Sequence, residues 1–212
     1  NSSRAGLLWG WASLALAGSG TFIMSIAAFV APGEAIMDNY IPMLDSKVFV
    51  AGLLIFAMGV TVLVLRSLLG APKVGPLTDG TSAMRFGMSA SAVATAVALL
   101  AFAWSYAVVP HSLSGKTYYE ILFWGGGHAL QFTWTLLMLV AWLWLGSACG
   151  VRTLLSPRLT VLMLALALVS VFVTPYAYLA YDVASVEHRN LHTWGMRLGG
   201  GIAIAPIALS TW

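Results

Sequence analysis

The amino-acid sequence predicts an all-α integral membrane protein, a polytopic bundle of six transmembrane helices. Apolar residues make up 60% of the 212 residues and charged residues only 8%, too little charge to cover the surface of a water-soluble domain. Hydropathy gives six apolar stretches long enough to cross a hydrocarbon layer about 30 Å thick as helices. Each stretch is too long and too evenly apolar for a strand of a membrane barrel, in which apolar and polar residues alternate.

Short connections join the six predicted spans, so residues 1–212 are expected to form a single transmembrane domain. The spans are approximately Leu7–Ala31, Val48–Leu69, Phe86–Val109, Tyr119–Leu145, Leu159–Tyr181 and Thr193–Trp212. The longest polar loop, Gly70–Arg85, carries two prolines and three glycines, a composition typical of a turn outside the membrane. Pro175 and Pro206 fall within the fifth and sixth spans, where each should kink its helix.

Charged residues are sorted by side of the predicted membrane, so the net charge of +3 does not indicate nucleic-acid binding. With the N-terminus inside, the inner segments hold six basic residues and one acid: Arg4, Arg66, Lys73, Arg85, Arg152, Arg158 and Asp79. The outer segments hold four basic and six acidic residues: Lys47, Lys116, Arg189, Arg197, Glu34, Asp38, Asp45, Glu120, Asp182 and Glu187. The positive-inside rule therefore predicts that both termini are inside.

Cysteine content and the chain ends add three expectations. Cys149 is the only cysteine, which excludes an intrachain disulfide and a thiolate metal cage. No basic segment with a cleavage site precedes the first span, so this span is not expected to be a signal peptide. The chain begins at Asn1 without Met and its last span stops at Trp212 without a polar tail, so we expect a piece of a longer protein.

Three of the four histidines have simple interpretations. His111 follows a proline in an outer loop and is expected to be solvated. His188 and His192 lie at the outer start of the sixth span, four residues apart, which places both on one face of a helix. That spacing suits a metal site, but it also arises by chance at a water-exposed boundary, which is the simpler interpretation.

His128 differs because it lies within its span, in the run FWGGGHALQFTW, where an ionisable side chain is costly and usually functional. On a helix its face includes Trp124, Gln131, Phe132 and Thr135. An imidazole with an amide and a hydroxyl along one stripe could ligate a metal or bind a ligand. Alternatively, His128 hydrogen-bonds to a neighbouring helix, as polar residues in membrane bundles often do. Both interpretations stay open.

Two glycine triplets lower helix propensity and therefore need a reason. The first consists of Gly125, Gly126 and Gly127, immediately before His128, and the second is Gly199–Gly201 in the sixth span. Such glycines allow another helix or a flat macrocycle to approach the backbone closely. Arg197 lies just before the second triplet, where it either snorkels outward or meets an anionic group such as a haem propionate.

The run LFWGGGHALQF resembles the sixth helix of subunit I of the haem-copper oxidase superfamily, where a Phe-Trp pair and a glycine precede the first histidine ligand of the copper beside the haem. The run PGEAIMDNYIPMLDSKVFVAGLLIFAMG resembles the loop and fourth helix of the B-type oxidases. TPYAYLAYD followed by LHTWGMRLGGG resembles their seventh and eighth helices. The order of these runs implies that the chain corresponds to helices three to eight of a twelve-helix subunit.

By this resemblance His128 is a copper ligand, but the rest of the copper site is missing. The family's tyrosine four residues later is Phe132 here, and its pair of adjacent histidines in the seventh helix corresponds to Leu179 and Ala180. The resemblance therefore leaves one histidine of a three-histidine copper site. The haem ligands of the family come from its second and tenth helices, which lie outside this chain.

The function implied is a divergent, haem-dependent respiratory oxidoreductase, closer to the nitric oxide reductases than to the oxygen reductases because the tyrosine is absent. Gln131 and Glu120 are the expected catalytic side chains, and a copper or non-haem iron ion is expected at His128. Haem b is expected against the first glycine triplet, Trp124 and Arg197. The expected surroundings are a bacterial inner membrane with the N-terminus inside, further membrane subunits, and an electron-donor cytochrome or quinol.

Three other functions remain open from the sequence. The chain could be a haem-bearing relative that only transfers electrons, without a second metal. It could also be a cofactor-free structural or assembly subunit. The nine tryptophans and the lack of a dense polar stripe are compatible with this role. A small transporter is less favoured, because the spans lack the polar, broken helices expected at a substrate site in the middle of the membrane.

Overall fold

The computed structural model describes residues 4–77, 80–151 and 153–211 and confirms the all-α prediction. Its helices are α1 Arg4–Val30, α2 Lys47–Leu69, α3 Gly80–Val108, α4 Gly115–Ala148, α5 Pro157–Ser170, α6 Val173–Ala180, α7 Val186–Gly195, a π-helical turn Met196–Gly200 and α8 Ile204–Ser210. Two short strands, β1 Ala35–Ile36 and β2 Met43–Leu44, pair in antiparallel orientation between α1 and α2. Asp79, Arg152 and Trp212, which entered the charge and span predictions, lie outside the described residues.

Five helical segments of the described chain are long and apolar enough to cross a membrane, as expected of a multi-pass membrane protein. They are α1, α2, α3, α4 and the segment formed by α5 and α6, and they correspond to the first five predicted spans. The break between α5 and α6 has a physical cause, because in a continuous helix the ring of Pro175 would clash with the carbonyl of Val171 four residues earlier. The sixth predicted span differs from the prediction, since it consists of α7, the π-helical turn and α8.

The π-helical turn at Met196–Gly200 contains the first two glycines of the second triplet. Consecutive glycines favour such a local irregularity because they have low helix propensity. The side of the membrane that each loop faces stays a prediction.

The chain divides into two compact units, residues 1–70 with 110–120 and residues 71–109 with 121–212. In the first unit α1 and α2 pack against each other along small residues. Gly20 faces the backbone of Phe56 and Gly52, and Gly59 faces the backbone of Ala17. The Ser13 hydroxyl donates to the Gly59 carbonyl oxygen at 2.9 Å. Close backbone approach through small residues is the usual way in which membrane helices associate.

In the second unit, alanines of α3 pack against larger apolar side chains of α4 and α5. The most deeply buried members of this core are Ala94, Ala98, Ala129, Leu136, Leu139, Leu164, Ala167, Val171, Ala203 and Ile207. The histidine cluster described below belongs to this same unit. The single transmembrane domain expected from the sequence stays a prediction.

The loop between α1 and α2, in the first unit, buries a carboxylate. Asp38 is 8% exposed, and its Oδ1 accepts the backbone N–H of Asn39. Its Oδ2 is buried and has no hydrogen-bond partner among the described residues. Burial raises the pKa of Asp38, as does the nearby Glu120 carboxylate, while the Asn39 hydrogen bond and Lys116 oppose this shift. The folded loop therefore binds a proton more readily than the unfolded chain.

We expect Asp38→Asn to stabilise the protein at neutral pH and to lose this advantage in acid. A carboxyl whose pKa is raised by folding loses its contribution to stability as the pH rises from the ordinary carboxyl pKa of about 4 through the folded pKa. The amide is neutral throughout, and its oxygen can still accept the N–H of Asn39. Thermal unfolding in detergent at acid and at neutral pH measures the effect, with the exposed Asp45→Asn as the control. An equal change in stability at both pH values would contradict this account.

Candidate functional site

Three histidine rings lie next to one another inside the second unit. The ring centroids of His128 and His192 are 5.7 Å apart, and those of His188 and His192 are 4.5 Å apart. His128 is 5% exposed, His188 0% and His192 1%. The simpler interpretation of the sequence put His188 and His192 at a water-exposed boundary. Their burial shows that this interpretation was wrong. His111, in contrast, is exposed as expected.

The local structure of α7 aligns two of these rings. Ser185 caps the helix, and its hydroxyl oxygen accepts the backbone N–H of His188 at 3.1 Å. A helix that begins here places His188 and His192 on one face, one turn apart. The predicted spacing is thus realised within a regular helix.

Backbone carbonyls select the protonated nitrogen of two rings. The Nδ1 of His192 lies 2.8 Å from the His188 carbonyl oxygen, and the Nδ1 of His128 lies 2.9 Å from the Trp124 carbonyl oxygen. A carbonyl oxygen only accepts hydrogen bonds, so Nδ1 carries the proton in each neutral ring. The lone pair is then on Nε2, the arrangement found in metal-ligating histidines whose second nitrogen is held by a carbonyl.

Several ring nitrogens of the cluster have no hydrogen-bond partner among the described residues. They are both nitrogens of His188 and the Nε2 of His192, and all three atoms are buried. Leaving a buried polar atom unpaired costs about 1–3 kcal/mol, so such atoms normally indicate a partner or a functional role. α7 lies outside the five spans, and burial lowers the pKa of His188 to about 4 and that of His192 to about 3. Both rings are therefore neutral at neutral pH, the state in which imidazole binds metals.

A buried tyrosine completes the cluster. The Tyr178 ring packs edge-on against His188, with 4.7 Å between the centroids, and its hydroxyl is 2.6 Å from that of Ser105. On its other side it stacks on Trp104 at 5.2 Å. The Tyr178 ring therefore packs against an imidazole of the cluster, while its hydroxyl is held by Ser105.

The first glycine triplet lies against aromatic side chains of the same unit. A Cβ on Gly125 would collide with the Tyr178 hydroxyl, and a Cβ on Gly126 would collide with the Phe102 ring. These two glycines therefore admit aromatic side chains of the same unit. Gly127 is also buried. The predicted contact of these glycines with a haem stays a prediction.

The remaining predicted residues are distributed over both units. Trp124 packs against His128, with 4.8 Å between ring centroids. Gln131 is half-buried one turn further along α4. Glu120 belongs to the first unit and accepts a hydrogen bond from the Asn39 amide at 3.3 Å. Arg197 is exposed and lies over the Trp194 ring at 5.4 Å. The catalytic and haem-binding roles predicted for these residues stay predictions.

Sequence reasoning alone did not assign His188, His192 and Tyr178 to the site. The resemblance left a single histidine, because it compared Leu179 and Ala180 with the missing pair. The structure instead brings two histidines of α7 beside His128. The signal that could have found them is their spacing of four residues, which only the burial of that helix face makes meaningful.

The donor chemistry of the cluster fits a transition metal, although the rings do not yet converge on one point. In the described part of the chain, no three His, Cys, Asp or Glu side chains are arranged to hold a metal ion as they stand. Neutral imidazoles suit copper, iron and zinc. His188 can rotate without breaking a hydrogen bond to its ring, since neither nitrogen has a partner in the described residues.

Two relatives of known sequence are similar to this chain. An uncharacterized protein of Rickettsia prowazekii (strain Madrid E) is 29% identical over 181 residues, which cover 80% of this chain and 34% of that protein. An uncharacterized protein of Aquifex aeolicus (strain VF5) is 28% identical over 192 residues, or 91% of this chain and 47% of that protein. The chain thus spans between about a third and a half of the length of these relatives. No protein-family model and no solved structure matches the chain.

Proposed function

We propose that this chain is a divergent membrane subunit of a haem-copper-like respiratory oxidoreductase, in which His128, His188 and His192 hold a redox-active copper or iron ion. The observation that carries the proposal is the burial of three neighbouring imidazoles whose nitrogens include three without a partner among the described residues. Ionisable side chains buried in membrane proteins are costly and usually functional. The resemblance around His128 supplies the reaction class.

The roles of the protein groups follow from their contacts. His188 and His192 present lone pairs from one helix face, and the Trp124 carbonyl fixes the tautomer that puts the lone pair of His128 on Nε2. The metal ion, when bound, would supply one-electron redox chemistry. Tyr178, held by Ser105, contributes a buried hydroxyl that can donate or accept a proton beside the imidazoles. The aromatic side chains around the cluster limit the access of water.

Nitric oxide is the favoured electron acceptor in this proposal, with oxygen as the second candidate. Phe132 stands where the resemblance expects the tyrosine that assists cleavage of the O–O bond, and it cannot supply a proton. Haem b, held by ligands outside this chain, a cytochrome or quinol donor, partner subunits and a bacterial inner membrane with the N-terminus inside belong to the same proposal.

A reduced-minus-oxidised optical spectrum of the purified complex, with metal analysis on the same sample, tests the proposal. We expect haem b bands together with one further copper or iron ion per chain. Haem without a second metal would contradict the histidine site and favour simple electron transfer. Absence of both would favour a cofactor-free structural or assembly subunit, whose histidines are then only packed side chains.

A further inference from the structure

Two contacts join Trp124 of α4 to Arg189 of α7. The indole Nε1 of Trp124 donates to the backbone carbonyl of Arg189 at 3.3 Å. The Arg189 guanidinium lies over the Trp124 ring, with its Cζ 4.6 Å from the ring centroid. A cation over an indole face is favourable, most strongly where water is partly excluded. We call this double contact the Trp124–Arg189 clamp.

The clamp is directly connected to all three histidines. Trp124 holds His128 through its carbonyl oxygen at 2.9 Å and packs on its ring. Arg189 immediately follows His188 in α7, and His192 lies one turn later on that helix. The contact between Trp124 and Arg189 therefore fixes the distance and rotation of the helix that carries two rings relative to the ring on α4.

We propose that Trp124 and Arg189 are positioning residues that set the geometry of the histidine cluster and hence its affinity for a metal. The inference rests on the proposed function for the identity of the ligand, but the positioning itself does not require a bound metal. Residues that hold metal ligands in place without touching the metal typically change metal affinity by about 10- to 100-fold when they are removed.

The chain offers a matched control for this pair. Arg197 lies over Trp194 at 5.4 Å, a similar cation–π contact located near the end of α7. Both Trp194 and Arg197 are exposed. Trp194→Phe weakens this second contact as Trp124→Phe weakens the clamp, and it leaves Arg197, a predicted haem-binding residue, in place.

Cobalt(II) titration of the full chain in detergent tests the clamp, because the visible absorption of Co²⁺ reports both affinity and coordination geometry. We expect Trp124→Phe and Arg189→Met each to weaken Co²⁺ binding about tenfold and to shift the absorption bands. The double variant should lose little more than either single variant, because the two residues act as one unit. Arg189→Lys, which keeps the cation, should restore most of the affinity, and Trp194→Phe should behave as the wild type. Wild-type affinity and bands in Trp124→Phe and Arg189→Met would overturn the inference.

Modification of histidines by diethyl pyrocarbonate, read by mass spectrometry on the metal-free protein, separates the clamp from the proposed function. We expect His188 and His192 to react faster in both clamp variants, with the exposed His111 as the internal reference. If the wild type binds no Co²⁺ but this change occurs, the proposed function fails and the positioning role stands. Unchanged reactivity in the clamp variants overturns the positioning role, whether or not the wild type binds the metal.

Discussion

Replacement of His188 by leucine is expected to abolish metal binding and, at the same time, to stabilise the metal-free protein. Both nitrogens of His188 are buried and lack a partner among the described residues, and the side chain is 0% exposed. An unpaired buried polar group costs about 1–3 kcal/mol, and an apolar side chain of similar size removes this cost. Metal affinity should fall by more than the roughly 100-fold that loss of an outer supporting group can cause.

Metal titration and thermal unfolding of the same variant measure both effects. The metal titration carries the functional conclusion, because a histidine kept only for packing would leave the metal content unchanged whatever the change in stability. His111→Leu is the matched control, since this exposed histidine has no place in the cluster. His128→Leu and His192→Leu should also abolish binding. Stabilisation should be smaller in these two, because each loses a hydrogen bond to a backbone carbonyl.

A variant that gains stability when it loses ligand binding indicates a site whose polar groups are kept without partners until the ligand binds. Natural proteins often retain such locally unfavourable arrangements where function requires them. Three nitrogens of His188 and His192 have no partner in the described part of the chain and carry such a cost, which the proposed metal would offset in the bound state.

The fold was largely predictable because the membrane limits what the backbone can do. In the membrane interior the backbone has no water to hydrogen-bond with, so an apolar stretch forms a helix that pairs its own N–H and C=O groups. Length and hydropathy were therefore enough to place five spans. The sixth stretch was misjudged in detail because the π-helical turn at Met196–Gly200 depends on how its glycines pack against neighbours. Gly199, for example, lies against the Ser170 side chain at the end of α5, a contact that hydropathy does not contain.

The site was predictable only at its centre. His128 was identified from its depth in an apolar run, which is a property of one helix. His188 and His192 were interpreted as residues of a water-exposed boundary because they lie at the outer start of the sixth predicted span. Their burial depends on which face of α7 meets α4 and α6, and no local pattern gives that pairing. Tyr178 was missed for the same reason, since its ring meets His188 through the packing of α6 on α7.

The second large effect is expected in the first unit, where Gly20→Ala should separate α1 from α2. A Cβ at this position would collide with the backbone nitrogen of Phe56, and the carbonyl oxygen of Gly52 lies 2.6 Å from it. Backbone atoms cannot move aside as a flexible side chain can, so the helices must part along the contact. Overpacking of a tight interface costs about 1–3 kcal/mol, and loss of the neighbouring small-residue contacts adds to this.

Gly18→Ala is the matched control, because a Cβ there meets nothing within 4 Å. It replaces glycine by the best helix former in the same helix and should be neutral or stabilising by up to about 1 kcal/mol. Thermal unfolding of both variants in detergent should therefore give shifts of opposite sign. An equal loss of stability in Gly18→Ala would contradict the packing account, because no close contact at Gly18 explains such a loss. The histidine cluster lies wholly in the second unit, so Co²⁺ binding at low temperature should be retained in Gly20→Ala. A parallel loss of metal binding would show that the cluster depends on the α1–α2 pair for its geometry and that the Trp124–Arg189 clamp alone does not set it.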